Sequence, residues 1–187
     1  MISEDRVREL LSKHGAVRPQ PASDWTGAFP LPSSIERFYG YVGPADITIQ
    51  SGANPFFIPS LAGLWPFQAG YRWNGLTGTP LAGWNDDWLV VADEAGDPFI
   101  FSRSSGHILS ARHGTGEWEP VEVFSDIDTM AASLAVLGAV VVAAGNALVD
   151  EEYRIRPEHR SQAESRLVEL LGSREATARV LGSLGWG

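Results

Sequence analysis

WNDDWLVVADEAGDPFIFSRSSGHILSARHGTGEWEPVEVF, residues 84–124, is the stretch whose reading decides the fold. Residues 88–92 form a continuous apolar run, partly β-branched, as expected of a strand shielded on both faces of a sheet. Residues 93–97 turn the chain with acids and a glycine, and 98–101 read as the returning strand. Ser104, Ser105 and Gly106 turn it again, and 108–112 alternate apolar with polar side chains, the mark of a strand with one face toward the core. Trp118, after the Gly114–Gly116 stretch, suits a turn leading into one more strand. The pattern is that of an antiparallel scaffold and lacks the arrangement of a catalytic site.

Working outward, residues 46–50 alternate polar and β-branched side chains and read as an earlier strand, with another short one at 56–58. Helices bracket them. Val7, Leu10, Leu11 and His14 fall on one helical face, with Ser3 placed as N-cap, Glu4 and Asp5 in the first turn and Gly15 as terminator. Residues 17–24 carry two prolines and read as a linker. Ser33 and Glu36 have capping-box spacing ahead of an apolar face of Ile35, Phe38 and Tyr39, and Gly40 or Gly43 stops that helix. Ser125 and Asp128 show the same spacing before a long uncharged segment. Pro157 suits the first turn of another helix, with Leu167, Val168, Leu170 and Leu171 on its apolar side up to Gly172. Ser173 opens a last helix through Leu181. The fold class expected is α+β: a single mostly antiparallel sheet flanked by helices, with an N-terminal helix and a C-terminal helical extension. Divided along the chain, this gives a helix and linker at 1–24, the α+β domain at 25–149 and a helical tail at 150–187 packing on it.

Composition limits the function classes. A chain of 187 residues can bury a sizeable core as one domain. Its net charge of -9, from 23 acids against 14 bases, repels nucleic-acid phosphates and favours a basic partner. The same charge also serves solubility alone. With no cysteine there is no disulfide, thiolate zinc site or cysteine nucleophile, which fits a reducing cytoplasm. The N-terminus has no apolar core of signal-peptide length. Residues 129–149 carry no charge and are long enough to cross a bilayer. Alanine and glycine dilute that run, however, and its flanks are acidic at both ends without a lysine or arginine excess, so a buried helix or a subunit contact is the expectation and a membrane is not.

Asp97, Ser102, Ser104, Ser105, His107 and His113 lie close in sequence, as a Ser/His/Asp hydrolase would need, but the nucleophile-elbow pattern is missing and the serines have turn composition. His107 and His113 stand about 20 Å apart on a regular strand, too far for one zinc ion, and no familiar metal-ligand spacing occurs, so no metal or other cofactor is expected. Gly114, Thr115 and Gly116 lack the lysine and strand-loop-helix setting of a phosphate cradle. Residues 51–83, rich in Gly, Pro and aromatic rings (Phe56, Phe57, Trp65, Phe67, Tyr71, Trp73), are long for an irregular connection. The rings either cover the sheet or anchor a partner. Asp86 and Asp87 between Trp84 and Trp88, with Asp93, Glu94 and Asp97 in the next turn, suit hairpin chemistry and also an acidic rim that attracts a basic surface. The expected partner-binding residues are Trp84, Asp86, Asp87, Glu94 and Asp97.

Trp84, Trp88, the VVAD and GDPFIF runs and the later glycine-x-isoleucine, taken with FPLPSSIERFYGYVGP at 29–44, resemble the SUKH superfamily, which includes the Smi/Knr cell-wall assembly regulator-like domains. The resemblance spans about residues 25–137. It implies a non-enzymatic α+β domain that binds a protein partner, in bacteria commonly an immunity protein neutralising a cognate toxin, and in eukaryotes a regulator; with the acidic surface of this chain, the partner expected is a basic toxin domain. A housekeeping scaffold, homodimeric through the alanine-rich helix and tail, is the alternative within the same fold. A small hydrolase using His107 or His113 is the alternative from another class.

Overall fold

The computed structural model describes residues 2–114 and 117–186. Thr115 and Gly116 of the glycine-bracketed stretch lie outside the described residues. Six strands, β1 (Ile47–Ile49), β2 (Phe56–Ile58), β3 (Trp88–Glu94), β4 (Asp97–Ser102), β5 (Ile108–Ser110) and β6 (Val121–Phe124), form one sheet in chain order, every neighbouring pair antiparallel. The helices are α1 (Glu4–Leu11), α2 (Ser33–Tyr41), α3 (Leu61–Leu64), α4 (Ile127–Ala144), α5 (Pro157–Leu171) and α6 (Arg174–Ser183). The α+β class with helices at both ends is as the sequence leads one to expect.

One face of the sheet meets the helices. Ile47, Ile49, Phe56, Ile58, Leu89, Phe99 and Phe101 share a core with Val7, Leu11, Phe38, Leu134, Leu137, Leu167 and Trp186, so α1, α5 and α6 bury side chains in the same core as the central segment. A register shift between Val90 and Ala92 places Val91 and Ala92 with Leu89 in that core. Val90 and its partner Ile100 are equally inaccessible but belong to the reverse face. The middle of β3 is thus covered on both sides, which explains its unbroken apolar run.

The long apolar helix is the core's centrepiece. Residues 127–147 are apolar and long enough to span a bilayer, and an 18-residue window among them has a mean hydropathy of 2.0, yet 67% of that window is buried within the fold, where α1, α2, α5, β1 and β6 pack around α4. Gly138 lets it cross β1: a Cβ there would lie 2.3 Å from Ile49 Cγ2. Near the crossing, His14 has already left the helix, since α1 ends at Leu11, but its Nε2 still lies 2.8 Å from the Ala135 carbonyl oxygen.

Two expected caps are different in the structure. α2 begins at Ser33 itself, with Pro32 as N-cap, and no side chain caps it. At α4 the cap is Asp126, whose Oδ1 accepts the Thr129 N–H at 2.7 Å. Asp128 is drawn inward instead. Its Oδ2 accepts Arg37 Nη2 at 2.6 Å, and Arg37 Nη1 donates to Glu4 Oε1 at 2.6 Å, so one guanidinium joins the first turns of α1 and α4. Burial raises the Asp128 carboxyl above the ordinary aspartate range despite the guanidinium beside it. The presumed linker at 17–24 is likewise fastened down: buried Gln20 donates to the Pro44 carbonyl at 2.6 Å and accepts the Leu61 N–H at 2.7 Å. Its prolines keep it out of a helix without setting it free.

Candidate protein-binding surface

β3 and β4 form the hairpin that carries every carboxylate expected to bind a partner. Their connection is Ala95-Gly96, both at positive φ (51° and 100°), the two-residue geometry whose twist matches the flanking strands. Asp93 stabilises the turn: its Oδ2 accepts the Gly96 N–H at 3.2 Å and the Tyr71 hydroxyl at 2.8 Å. Beside the turn, Glu94 Oε1 accepts Ser51 Oγ at 3.1 Å, and its half-burial raises the carboxyl above the usual glutamate range. Asp97 Oδ1 accepts the His113 N–H and faces His113 Nδ1, both at 2.7 Å.

Asp86 and Asp87 lie at the other end, where Trp88 pairs with Ser102. Asn85 Oδ1 accepts the Asp87 N–H at 2.9 Å, an Asx turn that aims the strand. Asp87 Oδ2 accepts both Ser102 Oγ (2.7 Å) and Ser104 Oγ (3.0 Å), so this acid stitches strand to turn. The Asp86 backbone carbonyl accepts Arg72 Nη2 at 2.9 Å and Arg103 Nη2 at 2.8 Å, while its side chain stands 99% exposed, with Arg72 Nη1 at 3.3 Å. Six residue steps of strand, about 20 Å, separate the two groups. Trp84, Asp86 and Asp87 are therefore brought together, Glu94 and Asp97 are brought together, and the expected acidic rim is two separate sites. At the Asp86 end the charge is also balanced, because two guanidiniums accompany two carboxylates.

The reverse face of the sheet carries the aromatic segment. Trp84 packs on Trp88 (5.3 Å between centroids), Trp118 (5.7 Å) and Tyr71 (6.1 Å), and its indole Nε1 is buried without a hydrogen-bond partner among the described residues. This half-buried ring is part of a wall. A second group, Trp25, Phe29, Trp65 and Trp73, stacks edge-to-face or tilted at 5.0–5.6 Å, with every ring half-buried. Arg103 lies over Phe29 at 4.1 Å from the ring centre, and Arg72 at 5.6 Å. Burial, with Arg103 close by, pulls the Arg72 guanidinium below its ordinary value. Among the rings of residues 51–83, Phe56 is buried in the core shared with the helices, while Trp65 and Trp73 stay half-buried and leave an aromatic margin at the surface.

Gln68 fastens this layer to the sheet. β2 pairs with β3 only at Asp93 and Glu94, which leaves the outer backbone edge of Val90 without a strand. The fully buried Gln68 amide takes the strand's place: Oε1 accepts the Val90 N–H and Nε2 donates to the Val90 carbonyl, both at 2.9 Å. Beyond it, residues 72–81 project as a small hairpin, with Asn74 N donating to the Thr79 carbonyl at 2.8 Å and Asn74 Oδ1 accepting the Leu76 N–H at 2.9 Å. Leu76 at its tip is 98% exposed.

Sequence reasoning missed Arg72, Arg103 and Leu76. The first had a signal, since it sits between Tyr71 and Trp73 as a cation interleaved with rings; the exposure of Leu76 depends on a local turn that no periodicity reveals. Of the residues considered for hydrolysis, His113 pairs with Asp97, His107 Nδ1 meets Glu122 Oε2 at 2.8 Å, Ser102 and Ser104 meet Asp87, and Ser105 Oγ accepts the His107 N–H at 3.2 Å, so no serine hydroxyl lies on a histidine ring. No group of three or more His, Cys, Asp or Glu able to hold a metal occurs among the described residues. No family model, curated protein or solved structure matches the chain.

Proposed function

We propose that this chain is a non-enzymatic protein-binding domain of the SUKH kind, a cytoplasmic immunity protein that occludes a basic surface of a cognate toxin. The observation that carries the reading is Asp86, a carboxylate held wholly in solvent on a backbone that two arginines and an Asx turn fix in place. The half-buried ring cluster of Trp25, Phe29, Trp65 and Trp73 and the exposed Leu76 stand nearby as apolar anchors. A fixed charge beside aromatic anchors suits an interface, since little entropy is lost in ordering it and aromatic residues with arginine dominate binding energy. A second reading, a homodimeric scaffold joined through α4 and the tail, would have to use the C-terminal end of α4, where Val142 is 63% exposed, since the rest of the helix packs against α1, α2, α5 and the sheet.

The test is association of the purified chain with the toxin domain encoded beside it, followed by stopped-flow fluorescence across a salt series. The association rate should fall as salt rises, and Asp86→Lys should slow it about tenfold, with a slightly lower melting temperature because it sets a third cation beside Arg72 and Arg103. Asp87→Lys is a poor probe, because it also breaks the two serine hydrogen bonds. Failure of the neighbouring protein to bind would end the immunity reading, and a rate indifferent to both salt and Asp86→Lys would remove this surface from it.

A further inference from the structure

On the helical side of the molecule, a half-open cleft of about 810 Å³ runs between α1 on one wall and α5 with α6 on the other, over α4 and β6. Leu10, Val136, Ala139, Leu170, Leu171 and Val180 give it an apolar lining. Four cations rim it: Arg6 and Lys13 on the α1 wall, Arg166 and Arg179 on the opposite wall. Asp126 and Glu169 are the acids at its edge, and the Asp126 carboxylate is already engaged by the Thr129 N–H and the Ser125 hydroxyl. Arg6 and Lys13 share Glu9, at 2.6 and 3.4 Å. Arg166 and Arg179 have no ion-pair or hydrogen-bond partner among the described residues. In a chain with a net charge of -9, this is a local reversal of sign.

The dimensions and the charge placement together select an occupant. The α1 wall, Glu4–Leu11, is about 12 Å long and the α4 floor from Thr129 to Ala139 about 15 Å, which is two to three turns of helix. A single carboxylate, as on a fatty acid, could meet only one wall, whereas cations stand on both. We infer that this cleft docks an acidic amphipathic helix of a protein partner, its apolar stripe on the α4 floor and its flanking Asp or Glu residues against Arg166 and Arg179 on one side and Arg6 and Lys13 on the other. This is helix-in-groove recognition, with anchors at i, i+3, i+4 and i+7. The site lies apart from Asp86 and does not depend on the reading of the hairpin.

The experiment uses the full-length chain as bait for a displayed library of random peptides about four helical turns long, with the Arg166→Glu/Arg179→Glu double variant as the counter-selected bait. Both arginines are exposed and unpartnered, so the variant should keep the parent melting temperature. Enriched peptides should carry apolar residues at helical spacing flanked by Asp and Glu. A synthetic copy should bind the double variant about tenfold more weakly than the parent, bind Asp86→Lys as the parent does, and shift the backbone amide resonances of Thr129, Ala139 and Ala176. No enrichment, enrichment of basic peptides, or equal affinity for the double variant would each overturn the inference. So would binding to phosphatidylserine-containing vesicles, and not to phosphatidylcholine alone, if no peptide is selected.

Discussion

Replacing Gln68 with leucine tests whether one side-chain amide holds the aromatic layer on the sheet. Leucine keeps most of the volume and supplies neither hydrogen bond, so the Val90 N–H and carbonyl lose their partners in a site that water does not reach. Leaving a buried backbone group unpaired costs about 1–3 kcal/mol, which for two groups gives about 2–6 kcal/mol. Against a whole-domain stability of about 5–15 kcal/mol this is a large fraction. Taking about 4 kcal/mol, the melting temperature of a chain this long should fall by about 8–16 °C. Urea titration followed by tryptophan fluorescence reads the change directly, because most of the indoles lie in the layer that Gln68 anchors. Gln68→Glu separates hydrogen bonding from volume: it keeps an acceptor for the Val90 N–H but sets a charged oxygen against the Val90 and Leu64 carbonyls, and should cost at least as much at neutral pH. A leucine variant within about 0.5 kcal/mol of the parent would refute the reasoning, since an ordinary surface change does no more.

Three further outcomes follow from geometry. Burial raises the Glu94 carboxyl against the lowering effect of the Ser51 hydroxyl, so folding favours its protonated form, and that contribution is present below the unfolded-chain value and lost as pH rises through the folded one. Glu94→Gln should therefore match the parent near pH 4 and melt higher near pH 7; a lower melting temperature than the parent at neutral pH would reverse the sign and sink the account. Gly138→Ala, which stabilises an ordinary helix interior, should here destabilise by about 1–3 kcal/mol because the new methyl meets Ile49, and calorimetry showing a gain would mean that α4 shifts freely over β1. Ala95→Asn should stabilise the β3–β4 turn by up to about 1 kcal/mol, since asparagine tolerates the left-handed backbone better than alanine, and an unchanged chemical-denaturation midpoint would count against that.

Regular elements were the legible part of the chain. The run at 88–92 announces a doubly covered strand because burial on both faces removes the alternation that a half-exposed strand must show. Capping was less legible, since Ser125 and Asp128 have the right spacing while the nearer Asp126 takes the role and Arg37, ninety-one residues from Asp128, draws that acid away. The binding residues were legible by type and poorly by place. Sequence separation along 84–97 is short, but the extended strand β3 runs between its open end and its turn, and it holds the acids before it about 20 Å from those at the turn. The arginines that fix Asp86 come from residues 72 and 103, one on either side of β3, and only the folded sheet brings them to one carbonyl.

Arg37 joins Glu4 to Asp128, and this has a consequence for how the molecule is made. On the ribosome α1 emerges before the helix that receives it, which follows more than a hundred residues later, a wait of about ten seconds at ordinary elongation speeds. Throughout that interval Val7, Leu10 and Leu11 lack their final shelter, so the nascent chain offers a chaperone an early foothold, and α1 is secured only once α4 has emerged.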